Sequence, residues 1–89
     1  MNLDAHAIEA AIKAQIIAIA DTLGCDASDL PSDEVIPATG LIDSAGLLEL
    51  IAWFEKTYDF RVPASELTID NLGTLSAMAV YLRRRKGLA

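Results

Sequence analysis

The chain has 89 residues, a formal charge of −6 at neutral pH, one cysteine and one histidine. A sequence of this length is expected to form a single domain over residues 1–89, with one core and no room for a pocket enclosed on all sides, which excludes a self-contained multi-substrate enzyme. Cys25 has no partner for an internal disulfide and His6 no companion ligands for a structural zinc, so a reducing compartment is expected.

Four of the seven basic residues are Arg83, Arg84, Arg85 and Lys86, which leaves residues 1–82 with a net charge of −10. Such a body repels nucleic-acid phosphates and anionic lipid and steers basic partner surfaces toward itself. The most apolar stretch, Ile16 to Ala20, is closed by Lys13 and Gln15 before it and Asp21 after it, far short of the ~20 apolar residues of a membrane span. Asp4, His6 and Glu9 stand where a secretory signal carries a basic region, so the expected address is cytoplasmic. Fifteen alanines favour helix over sheet.

In chain order, Ile8, Ile12, Ile16, Ile19 and Leu23 recur at helical spacing, predicting an amphipathic helix over about 4–23, capped by Asp4 or Asn2 and ended by Gly24. Residues 24–43 hold no periodic pattern and contain Pro31, Pro37 and Gly40, so they read as a long acidic loop. A loop of that length in a small domain must be tied down or functional. Leu30, Val35, Ile36, Leu41 and Ile42 are its candidate anchors, and Ala27 to Leu30 can form one helical turn.

Leu47, Leu50, Ile51, Phe54 and Tyr58 share one face of a second helix over about 44–58, with Asp43 as its cap. Val62-Pro63 is extended, a short helix fits at about 65–69, and Asp70-Asn71 turns the chain. Thr74 caps a last helix over about 74–86, whose inner face is Leu75, Met78, Ala79 and Leu82. The expected fold is therefore all-α, a small four-helix bundle.

The segment from Gly40 to Leu50 holds the chemistry. It sets the Ser44 hydroxyl at the first turn of an amphipathic helix, where a phosphate would meet unpaired backbone N–H groups and the positive end of the helix dipole. The plain alternative is that Asp43 and Ser44 do no more than cap the helix. A serine hydrolase does not fit, because Ile42 stands where a nucleophile elbow needs glycine and His6 belongs to another helix.

The run Gly40-Leu41-Ile42-Asp43-Ser44 ahead of the second helix, the extended Val62-Pro63 and the Leu72-Gly73-Thr74-Leu75 entry to the last helix together resemble an acyl carrier protein over about residues 4–82. The resemblance implies a non-catalytic carrier whose Ser44 receives a 4'-phosphopantetheine arm from coenzyme A through a phosphopantetheinyl transferase. Cargo, acyl or aminoacyl, would ride on the arm's thiol as a thioester between a loading ligase and acyl-transferring enzymes of lipid, fatty-acid or secondary-metabolite biosynthesis. Partner recognition would centre on Asp43, Ala45, Leu48, Glu49, Ala52 and Trp53, and Leu50, Phe54 and Ile69 would line any space for short cargo between the helices. Ala45 and Gly46 depart from the leucine and acid that fatty-acid carriers place after the serine, which points to a specialised stand-alone carrier. A carrier-like interaction module without a prosthetic group is the competing reading.

Several residues keep two readings each. Trp53 is an interface anchor or packs against the long loop; Gly46 lets a partner or the arm approach closely or is tolerated drift. Arg83 to Lys86 complement the dipole of the last helix or contact the phosphates of coenzyme A or an acidic partner. Cys25 reads as a small packing residue and His6 as a solvated one. A monomer is expected.

Overall fold

The backbone at Asp4 is extended and its carboxylate accepts the His6 N–H at 3.2 Å, so the first helix, α1, runs Ala5–Thr22. The computed structural model describes residues 3–36, 40 and 42–88. Ile8, Ile12, Ile16 and Ile19 form the buried stripe of α1, as their spacing requires. The helix stops where Gly24 turns left-handed at φ 77°, which lets the Cys25 N–H reach the Ala20 carbonyl at 2.8 Å and the Gly24 N–H reach that of Asp21 at 3.1 Å. Helix α2 (Ser44–Tyr58) closes in the same way around Asp59, at φ 54°.

A single 3-10 turn, Ala64–Glu66, and a four-residue helix α3, Ile69–Leu72, lead to α4, Leu75–Arg85. The short helix expected at 65–69 is therefore divided, and Asp70-Asn71 lies inside α3 instead of turning the chain. The cause is Thr68, whose Oγ1 accepts the Asn71 N–H at 3.2 Å and restarts the helix, a capping signal that the apolar pattern did not reveal. Thr74 does the same for α4, accepting the Ala77 N–H at 2.9 Å.

Helix α1 lies against both α2 and α4, and α3 packs on α4. Its isoleucine stripe meets Leu50 and Phe54 of α2 and Leu75, Met78 and Leu82 of α4 in one fully buried cluster, each such side chain contributing roughly 1.5–3 kcal/mol on leaving water. The core is apolar throughout: no polar or charged side chain among the described residues is buried. Phe60 extends it, meeting Phe54 edge-on at 5.2 Å between ring centroids and Tyr81 at 6.2 Å.

The loop between α1 and α2 is tied down by side chains and backbone together. Ala27, Leu30, Ile36 and Ile42 enter the core and Val35 is half-buried; Leu41, the remaining expected anchor, lies outside the described residues. Ala27–Leu30 closes as a turn. The Ile36 N–H donates to the Gly73 carbonyl at 2.7 Å and the Ser76 N–H to the Ser32 carbonyl at 3.0 Å, joining the loop to the elbow between α3 and α4. Only glycine fits that elbow, since a Cβ on Gly73 would overlap the Ile69 carbonyl.

The basic run at the end of α4 does more than complement a dipole. Arg83 donates to the Leu3 and Leu88 carbonyls, Arg85 pairs with Glu66 and Tyr81, and Lys86 donates to the Asp59 carbonyl at 3.4 Å. Cys25 is half-buried against the core, as its packing role requires. Trp53 is half-buried too, its ring edge-on to Tyr58 at 6.1 Å.

Burial raises the phenol pKa of Tyr58 and of Tyr81 above its ordinary value, with the Glu66 hydrogen bond adding to the rise at Tyr81. Tyrosines of the unfolded chain ionise near pH 10, so the stability these phenols confer is whole below about pH 10 and falls as the pH rises beyond it. Urea midpoints measured from pH 8 to 11 are expected to drop above pH 10, and to drop less in a Tyr58→Phe/Tyr81→Phe double variant. A flat midpoint in the parent chain would contradict this account.

Candidate functional site

The backbone at Asp43 is extended (φ −90°, ψ −174°), so its carboxylate turns back to accept the Gly46 N–H at 2.7 Å while its carbonyl accepts the Leu47 N–H at 2.8 Å. Ser44 is the first residue of α2 and is exposed, as are Asp43 and Ala45. The cap satisfies one of the N–H groups that a helix start leaves without intrahelical acceptors; those of Ser44 and Ala45 remain beside the serine, at the positive end of the dipole. A reachable hydroxyl in that field suits a phosphoester.

Two surfaces meet at this turn. On one side Asp43, Ala45, Gly46 and Glu49 face Ile19, Thr22 and Leu23 at the end of α1. Gly46 is buried here, and a Cβ on it would stand 2.9 Å from Cγ2 of Ile19 and 3.3 Å from both Asp43 Oδ1 and Ile42 Cβ. The glycine is thus explained by packing between α1 and α2, and not by the approach of a partner or an arm. On the other side an apolar groove of ≈ 180 Å³ opens to solvent between Leu47, Leu48 and Ile51 of α2 and the 67–73 segment. Leu47 borders both this groove and the shelf of Ile42, Asp43 and Ser44.

Of the side chains expected to line an interior cargo space, Leu50 and Phe54 are wholly buried in the packed core and Ile69 is 60% exposed on the groove rim. The expectation fails because α2 turns its 50–54 stripe to α1 and α4, whereas its 47–51 edge faces the groove. The expected recognition residues Asp43, Ala45, Leu48, Glu49 and Ala52 all lie exposed on α2 or at its cap, with Leu48 69% exposed. Trp53 sits on the flank, packed against the core. Leu67, the groove's other exposed leucine, was not legible in the sequence, because it follows no helical period.

His6 lies in the first turn of the helix whose far end, at Ile19, meets Gly46, so about 20 Å of helix separates it from that contact and no Ser–His pair forms. Among the described residues no group of three or more His, Cys, Asp or Glu side chains could hold a metal ion, and no helix is long and apolar enough to cross a membrane.

Residues 16–82 match the protein family described as the phosphopantetheine attachment site. Similar proteins include the D-alanyl carrier proteins of Streptococcus gordonii, Streptococcus thermophilus and Streptococcus sanguinis, each 41% identical over 64 residues, which span 71% of this chain and 80% of the relative. No solved structure matches the chain.

Gly46→Ala tests the packing of the serine-bearing turn. Alanine gains about 1 kcal/mol of helix propensity but overpacks against the buried Ile19, which costs about 1–3 kcal/mol. A net loss of about 1 kcal/mol is expected in urea unfolding, and the double variant Gly46→Ala/Ile19→Leu, which removes the Cγ2 methyl from the contact, is expected to recover part of it.

Proposed function

The chain belongs to the phosphopantetheine attachment family of non-catalytic carriers, and we propose that its 4'-phosphopantetheine arm is joined to the Ser44 hydroxyl and carries a small aminoacyl group, D-alanine first among the candidates. One observation carries the attachment: Ser44 is an exposed hydroxyl at the first residue of a capped helix, beside two N–H groups without intrahelical acceptors. The residues present fit the group, since a phosphodiester there would extend into solvent without displacing a side chain. When bound, the arm supplies a terminal thiol that holds cargo as a thioester.

What the polypeptide does is position and display. Asp43 sets where α2 begins, Gly46 seats that turn against α1, and Ser44 is held at the corner between shelf and groove. Asp43, Ala45, Leu48, Glu49 and Ala52 present an outward surface of mixed apolar and acidic character, suited to basic partner enzymes such as the transferase and a loading ligase. Tethering raises the cargo's local concentration at a docked enzyme into the millimolar range, on the order of what short flexible linkers provide. No acid or base of the chain is needed for this.

Small cargo is favoured by the filled interior and by the names of the relatives. Ile8, Ile12, Ile16, Leu50 and Phe54 are all 0% exposed, so a long acyl chain could enter only by displacing these packed side chains. An aminoacyl group needs no such space. The expected setting is the cytoplasm, where the free thiols of Cys25 and of the arm stay reduced.

Intact mass after incubation with coenzyme A and a broad-specificity phosphopantetheinyl transferase tests the attachment. A single phosphopantetheine addition, absent from Ser44→Ala, is expected; addition that persists in the variant, or a folded chain that takes none, overturns it. Loading of the modified chain by a D-alanine-activating ligase, with release by hydroxylamine, tests the cargo.

A further inference from the structure

The outer wall of the apolar groove is a segment that apolar burial alone does not hold. Between Val62 and Leu72, both buried, residues 63–71 are exposed or half-buried, and Leu67 and Ile69 turn their side chains outward, 48% and 60% exposed. A stretch with so few buried contacts belongs to the low-stability end of a fold unless polar ties hold it. Its own hydrogen bonds make it a unit: the Glu66 carbonyl accepts from the Thr68 N–H at 2.9 Å and from Asn71 Nδ2 at 3.0 Å, and the Leu72 N–H donates to the Thr68 carbonyl at 2.8 Å.

Between its buried ends, Val62 and Leu72, that unit is tied to the bundle by the Glu66 side chain. The Glu66 carboxylate accepts a short hydrogen bond from the Tyr81 hydroxyl and lies 3.4 Å from Nη1 of Arg85, which also donates to the Tyr81 oxygen at 2.9 Å. Arg85 is itself steadied over two rings, 5.7 Å from the Phe60 centroid and 5.8 Å from that of Tyr81. Tyr81 is 7% exposed and belongs to the core, so the tie is anchored in the rigid part of α4.

We propose that Glu66, Tyr81 and Arg85 form a latch that holds the 67–72 wall in place across from Leu47, Leu48 and Ile51, and that its release lets this wall move as a unit and the groove beside Ser44 open. The latch governs the groove whether or not Ser44 bears an arm, because each of its contacts lies within the polypeptide. All three members act on the groove through position, without touching its interior.

Amide hydrogen exchange in the full chain, followed residue by residue by NMR, tests the latch. Tyr81→Phe keeps the ring in the core and removes the hydroxyl; Glu66→Gln keeps an acceptor for Tyr81 and removes the charge facing Arg85. Exchange at the hydrogen-bonded amides of Leu67, Thr68, Asn71 and Leu72 is expected to quicken about five- to tenfold in Tyr81→Phe and less in Glu66→Gln, with Ile12 to Ala20 of α1 unchanged. Unchanged exchange in the wall, equal quickening throughout the chain, or a wall that already exchanges as an unfolded segment in the parent protein would each overturn the proposal. Phosphopantetheine addition to the same variants is expected at the parent rate, so a failed latch and a failed assignment of Ser44 give different results.

Discussion

The close approach of α2 to α1 at Gly46 is the constraint on which the site depends. Gly46 lies against Ile19, one helical turn before the end of α1, and leaves no room for even a methyl group. Because the same residue receives the Asp43 cap, the start of α2 is held from two directions, by packing below and by a hydrogen bond from the side. Ser44, two residues earlier, is thereby exposed on a turn that does not itself need to move. Interiors packed to crystal-like density transmit such restraint, so an exposed hydroxyl can be placed accurately without being buried.

The long loop contributes by a different route. Its residues make no regular ladder, yet Ile36 spends its backbone N–H on Gly73 and its side chain in the core, and Ser32 and Ser76 join the loop to the first turn of α4. Backbone groups that find such partners avoid the cost of leaving buried donors unpaired. The elbow at Gly73 is therefore held from the loop side, while the segment before it is held from the α4 side through Glu66. The groove beside Ser44 lies between a helix packed into the core and a wall fastened at those two places.

The acidic body of the chain and its basic C-terminal run divide the work. Arg83, Arg85 and Lys86 are engaged with the Leu3 carbonyl, with Glu66 and Tyr81, and with the Asp59 carbonyl, so three of the four cations in the run serve internal structure. Around Ser44 the charged groups are Asp43 and Glu49, with Asp21 near the end of α1. Charge of one sign on a surface accelerates encounter with a partner of opposite sign more than it tightens the complex.

Much was legible in the amino-acid order alone: the isoleucine stripe of α1, the left-handed stop at Gly24, the Asp43 cap, the bounds of α2 and the place of Ser44 in its first turn. These are local properties, set by side-chain period and by the few residues able to satisfy the free groups at helix ends. The division of the third helix could have been read from Thr68 as a cap, but its signal spans only a few residues and is weaker than a periodic stripe. The tertiary structure decided the rest. Whether Gly46 serves a partner or its own core, whether Leu50 and Phe54 line a cavity or fill one, and what Arg85 binds all depend on which distant segment lies opposite. That is a matter of how the helices cross, and neither residue period nor capping chemistry specifies a crossing before the chain has packed.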